Sequence, residues 1–191
     1  DQPQREPDQA ALEEAVGYAR SASALEPGNA SHLFLTGLLY QELAPFDERA
    51  LVMAEKMFTQ AVDVDVEYAA AWLELGLLMA AQDRGMEAIA ALENALENDP
   101  SAVAAHAVGP LCAEYAANDE GYRGVDFFEA QYAANPEVSA LGVGRAIMLN
   151  YLGDREAALS QARDILLIEE AGTPEHDYAA KLVAEWEGGK P

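Results

Sequence analysis

One stretch of this sequence recurs, and the recurrence limits what the chain can become. Trp72, Leu75, Gly76, Met79, Ala88, Leu92, Ala95 and Pro100 follow one another in that order, and Leu33, Gly37, Tyr40, Ala54, Phe58 and Ala61 stand at matching places upstream. The interval from Tyr40 to Ala54 is five residues longer than that from Met79 to Ala88, and the extra length falls in the turn Ala44-Pro45-Phe46-Asp47. A surface turn absorbs such an insertion at small entropic cost. A unit of this size cannot bury its apolar face alone, so units of this kind must stack into one continuous core.

The Trp72 stretch resembles the tetratricopeptide repeat. That family places a large residue, then Leu-Gly and a second large residue on a first helix, and Ala, a large residue and Ala on a second, closed by Pro. Every place is filled here, with Met79 where tyrosine is usual. The resemblance implies an all-α solenoid of antiparallel helix pairs, wound as a right-handed superhelix and closed by a C-terminal capping helix. In such a pair Gly76 and Ala88 mark the closest crossing of the helices, and Trp72, Leu75, Met79 and Leu92 fill the space around it. Ala95 is the matching small residue toward the next repeat. Asp99-Pro100 stops the second helix, because a proline there cannot continue it.

The same pattern divides the rest of the chain. Ala15, Ala19, Ala22 and Pro27 match the second half of a further repeat, whose first helix is absent or lies upstream of Asp1. Downstream the match weakens: Phe128 takes the large place before Pro136, but Gly124 and Gln131 stand where alanines belong. The preceding helix contains Gly109-Pro110, where a bend or break is expected. Ala146 then takes the glycine place, with Gly153-Asp154 in the turn and Ala158, Ala162 and Ile165 on the second helix. Thr173-Pro174-Glu175 reads as the cap and first turn of the closing helix. The expected organisation is an N-terminal extension 1–9, a half repeat 10–29, repeats at about 30–68, 69–102, 103–138 and 139–172, a capping helix 173–187 and a disordered tail 188–191.

Composition narrows the partners. The chain is 51% hydrophobic with only 8% aromatic residues, so its core is built from many small side chains at close range, and alanine favours helices. Thirty-four acidic against 11 basic residues give a formal charge of -23, a field that repels phosphate backbones and anionic headgroups. Nucleic acid and membrane insertion are therefore not expected. The same field attracts basic segments, or serves only to keep the surface soluble. No apolar run is long enough to span a bilayer. The expected setting is soluble, bacterial cytoplasm or periplasm, with no residue choosing between them. The chain opens at Asp1 without methionine, which fits a cleaved leader or an excised portion of a longer protein.

Catalytic chemistry finds little to build on. Cys112 is the only cysteine, so no internal disulfide forms; with His106 six residues away on another helical face, it reads as a small buried hydrophobe. His32, His106 and His176 fall in different repeats, and helix layers about 10 Å apart keep them from sharing an ion. Neither metal nor other cofactor is expected. Carboxylate pairs such as Glu13-Glu14, Asp63-Asp65 and Glu169-Glu170 are what so acidic a chain gives by chance. Tyr115, Tyr122, Phe127, Phe128 and Tyr132 form a dense aromatic group. They read as core that compensates for the missing alanines, or, with Phe127 and Phe128 facing apart, as a second contact site.

The resemblance implies a groove lined by the first helices of successive repeats. Carried from the Trp72 repeat, its lining is Leu73, Leu77 and Ala80, preceded by Phe34, Leu38 and Gln41. Ala107, Leu111 and Glu114 follow, then Val143, Ile147 and Asn150. No lysine or arginine stands at these places, unlike family members that clamp a peptide's acidic C-terminus. The expected function is a non-catalytic scaffold or adaptor that binds an amphipathic protein or peptide segment with basic flanks. Two alternatives stand beside it: the regulatory or targeting portion of a longer enzyme or secretion-associated protein, and a self-associating module that forms a homo-oligomer.

Overall fold

Small helix-favouring residues and short polar turns divide the chain into ten α-helices among the described residues, 8–188 of the computed structural model. They are α1 (Gln9–Leu25), α2 (Ala30–Leu43), α3 (Ala50–Val64), α4 (Ala69–Ala81), α5 (Gly85–Asn98), α6 (Pro100–Ala117), α7 (Gly121–Ala134), α8 (Ser139–Tyr151), α9 (Arg155–Ile168) and α10 (Pro174–Gly188). No strand occurs among the described residues. The N-terminal residues 1–7 and the tail residues Gly189, Lys190 and Pro191 lie outside them.

Consecutive helices pack against one another, which makes an α-solenoid of antiparallel pairs. Asp8, Asn29, Asp99 and Asp154 cap α1, α2, α6 and α9 with side-chain oxygens, and Thr173 Oγ1 accepts the amide of His176 at the start of α10. Asp99 is also the whole connection between α5 and α6, with Pro100 as the first helical residue. The proline that ends one helix thus opens the next. The Gly109-Pro110 pair does not interrupt α6, which runs unbroken to Ala117. Pro110 leaves the His106 carbonyl without its usual amide, and His106 lies on the exposed face of the helix.

Three of the tight turns share one device. Asp83 between α4 and α5, Asp119 between α6 and α7, and Gly153 between α8 and α9 have φ of 58°, 59° and 86°. A left-handed residue reverses the chain within three residues, and aspartate is among the few non-glycine residues that adopt it readily.

The first helices α2, α4, α6, α8 and α10 form one layer, and α1, α3, α5, α7 and α9 the other. Within the first layer α4 touches α6, α6 touches α8 and α8 touches α10, whereas no two helices of the second layer come comparably close. The layer whose neighbours meet is the inner one of a curved stack.

Packing centres on glycines. A methyl group at Gly37 would lie 2.5 Å from the Phe58 ring, and one at Gly76 would lie 2.7 Å from Leu92 Cγ. Each large residue of α3 and α5 seats in a hole on the first helix of its own pair. Phe128 of α7 seats instead on the following helix, where a methyl at Gly144 of α8 would lie 2.7 Å from its ring. Correspondingly, α7 packs mainly on α8 and only slightly on α6.

The aromatic group is core. Phe128 and Tyr115 are fully buried, and Phe127 is half-buried with its ring 5.6 Å from Phe128 and 6.5 Å from Tyr115. Adjacent residues on α7 both reach it because the group spans the space between α6 and α8. Tyr122 alone of the five is largely exposed.

Candidate functional site

The inner layer owes its character to what its helices lack. Every described Lys and Arg except Arg145 and Lys181 lies in α1, α3, α5, α7, α9 or the turns leading into them. Arg145 of α8 turns toward the outer layer, donating to Gln161 of α9 at 2.6 Å and to Glu129 of α7 at 3.3 Å. Lys181 sits on the exposed face of α10, 3.9 Å from Glu185. Meanwhile α2, α4, α6 and α10 carry Glu42, Glu74, Glu114 and Glu175. The inner layer is thus acidic and apolar.

The outer-layer cations tie helices together. Arg84 reaches Glu55 of α3 at 2.5 Å and Glu87 of α5 at 2.7 Å, and hydrogen bonds to these carboxylates raise its pKa and hold that of Glu87 low. Glu93 of α5, only 14% exposed, accepts from Arg123 of α7 at 2.5 Å and from the Tyr115 hydroxyl of α6 at 2.5 Å. Burial, and then Glu93, push the Tyr115 phenol well above its ordinary value. This charged junction joins α5, α6 and α7, of which α6 and α7 touch one another only slightly.

The expected groove residues fall into two groups. Phe34, Leu38, Gln41, Leu77, Ala80, Ile147 and Asn150 are half-buried, with part of each side chain open to solvent. The Phe34 ring lies 5.8 Å from Phe58 and 5.1 Å from Tyr68, and Gln41 donates to Glu74 at 3.1 Å. Leu73 is 7% exposed and Leu111 is fully buried, as is Ala107; Val143 is 5% exposed. Leu111 therefore supplies no surface. Burial on α6 follows the large side chains Val103, Leu111 and Tyr115, and these turn Ala107 and Leu111 into the core between α4 and α8.

The face that α6 offers instead is made of small residues. Ala104, Ala105, Val108 and Gly109 form one wall of a trough of about 260 Å³. Ala140, Val143 and Ile147 of α8 are its floor, and Pro174, Glu175 and Tyr178 of α10 its far wall. Sequence spacing found Val143 and Ile147 but missed the α6 and α10 walls. The run Ala104-Ala105 with Gly109 was the available signal, since small residues a turn apart leave a furrow. Around the first pairs lies a different cleft of about 380 Å³ on the outer side, lined by Arg20, Ser23, Leu33, Met57, Asp63 and others.

Cys112 is 4% exposed, its thiol directed at the Gly144 carbonyl at 3.7 Å, and burial pushes its pKa up. A thiol held protonated is a poor nucleophile. His32 Nδ1 lies 3.6 Å from Glu26 and His176 Nδ1 lies 3.3 Å from Asp177, while His106 is exposed on α6. Among the described residues no cluster of three His, Cys, Asp or Glu side chains could hold a metal ion, and no helix is long and apolar enough to cross a membrane.

Known structures share this architecture. The crystal structure of MamA superposes with a TM-score of 0.60 at 19% identity, over 89% of this chain and 91% of that one. The fold is a tetratricopeptide-repeat solenoid. YrrB, described as a tetratricopeptide-repeat protein with an unusual peptide-binding site, gives a TM-score of 0.55 at 15% identity over 89% and 84% of the two chains. A tetratricopeptide repeat protein from Parabacteroides merdae gives 0.56 at 19% identity, over 94% of this chain and 67% of that one. No family model matches the sequence, and no match was found among curated proteins. At such identities the likeness speaks for the solenoid and its layers, not for a shared ligand.

Proposed function

We propose that this chain is a non-catalytic interaction scaffold that holds a polypeptide segment along the inner layer of α2, α4, α6 and α8. One observation carries this reading: the inner layer is apolar and acidic, while every described cation except Arg145 and Lys181 lies in the outer layer or the turns leading into it, and Arg145 itself turns outward to α7 and α9. A partner that fits must be apolar along one side and basic along its edge. Phe34, Leu38, Gln41, Leu77, Ala80, Ile147 and Asn150 are the contact residues of this reading. The described peptide-binding site of YrrB is in keeping with it. Burial of Cys112, which pushes its pKa up and makes it a poor nucleophile, supports the non-catalytic reading.

Affinity capture with the intact chain beside a Leu38→Glu, Leu77→Glu variant tests the proposal, with circular dichroism to check that both are equally helical. The variant is expected to lose the captured partners, and the intact chain to release them as salt rises. Recovery of the same partners by both would place the contact elsewhere.

A further inference from the structure

The trough between α6, α8 and α10 has a size, a wall chemistry and a charge that together specify what fills it. Its volume of about 260 Å³ is smaller than the roughly 300–1,000 Å³ of sites that enclose a small-molecule ligand. A side chain fits it better than a cofactor does. Its depth comes from missing side-chain volume: Ala105 and Gly109 on one wall, and Ala140 on the floor beside Ile147. A methyl at Gly109 would meet no atom within 4 Å, so the furrow is open there. Tyr178, 45% exposed, stands on the opposite wall and offers an aromatic face to whatever enters.

Charge selects the occupant. Glu175 is the single charged residue on the trough, and no lysine or arginine lines it. A second copy of this chain is a poor occupant, because two bodies of formal charge -23 repel. Resting on the inner-layer reading above, we infer that the trough is an anchor pocket for one bulky apolar side chain of a basic peptide segment, whose neighbouring lysine or arginine meets Glu175. The anchor supplies buried apolar area; the cation sets orientation and excludes acidic competitors.

The test uses fluorescein-labelled hexapeptides KKFLKK, KKAAKK and EEFLEE, titrated by anisotropy against the full chain. KKFLKK is expected to bind at least tenfold more tightly than either of the others. Ala105→Phe, which fills the furrow from an exposed position on α6, is expected to weaken KKFLKK at least tenfold with helicity unchanged. Glu175→Gln weakens it two- to fivefold. The trough assignment is overturned, with the inner-layer reading intact, if KKFLKK binds Ala105→Phe normally but is lost on the Leu38→Glu, Leu77→Glu variant. It is overturned too if KKAAKK binds as tightly as KKFLKK, or if no peptide binds. Sedimentation showing a dimer that Ala105→Phe dissociates would assign the trough to a second copy.

Discussion

The α2–α3 and α4–α5 pairs and the α6–α7–α8 region solve one packing problem in two ways. In the first, a glycine on each first helix receives the large residue of its own partner: Phe58 into Gly37, Leu92 into Gly76. In the second, Gly109 faces open space, and Phe128 finds its hole on the next helix, at Gly144. A methyl at Gly124 would lie 2.8 Å from both Tyr115 and Met148, so its absence lets α7 sit in the space between α6 and α8. The interaction survives while the partner changes. A solenoid needs each large side chain to find a hole within reach of neighbouring helices, but not that the hole lie in the same hairpin.

The sharpest way to break the comparison is to empty or block the displaced contact. Phe128→Ala removes a fully buried ring and is expected to cost about 3–5 kcal/mol in urea unfolding. Gly144→Ala overpacks the same site and is expected to cost about 1–3 kcal/mol despite alanine's helix preference. Gly109→Ala, in the same region but facing open space, should stay within about 1 kcal/mol, since its propensity gain is offset by crowding ahead of Pro110. Equal effects at Gly144 and Gly109 would mean that α7 does not rest on α8.

Cys112 offers a probe of that seating, because its thiol packs against the Gly144 carbonyl. Alkylation at neutral pH is expected to be far slower than for an unfolded control, and Gly144→Ala should accelerate it, the logarithm of the rate rising in proportion to the lost stability. A fast thiol in the intact chain would contradict the burial.

The Glu93 junction predicts a smaller, pH-dependent effect. The Tyr115 pKa is raised on folding, so its contribution is complete below the ordinary tyrosine value of about 10 and is lost as pH rises beyond it. Stability should therefore fall as pH rises through that value, and Tyr115→Phe should flatten the fall at a cost of about 1 kcal/mol at neutral pH. Smallest of all, Asp119→Gly relieves the left-handed turn and should gain a few tenths of a kcal/mol. The same change at Asp83 sharpens the comparison, since both turns share one conformation.

Much of this was legible in the residues. Trp72-to-Pro100 and its echo from Leu33 to Ala61 specify helix pairs and their crossing glycines, because those contacts lie within one hairpin and impose a constant spacing. Thr173-Pro174-Glu175 marks the closing helix for an equally local reason, a cap bonding to an amide three residues away. The seat of Phe128 was not legible. Spacing matched Ala146 to the crossing with its own second helix, and no local signal marks Gly144, two residues earlier and on nearly the opposite side of α8, as the seat for a ring from α7. On α6 the same limit hid the exposed face: Leu111 and Ala105 belong to adjoining stripes, and only packing between α4 and α8 shows which is covered.

The sequence by itself determined a helical solenoid, its paired helices and its acidic charge, because helix propensity, capping and repeat spacing act over a few turns of chain. Only the tertiary structure decided that α7 leans on α8, that the cations gather on one layer, and that α6, α8 and α10 enclose a trough. Those outcomes depend on which way each helix is rotated against neighbours as many as 70 residues away, from Ala104 to Pro174, and rotation is set by the fit of side-chain volumes across the core.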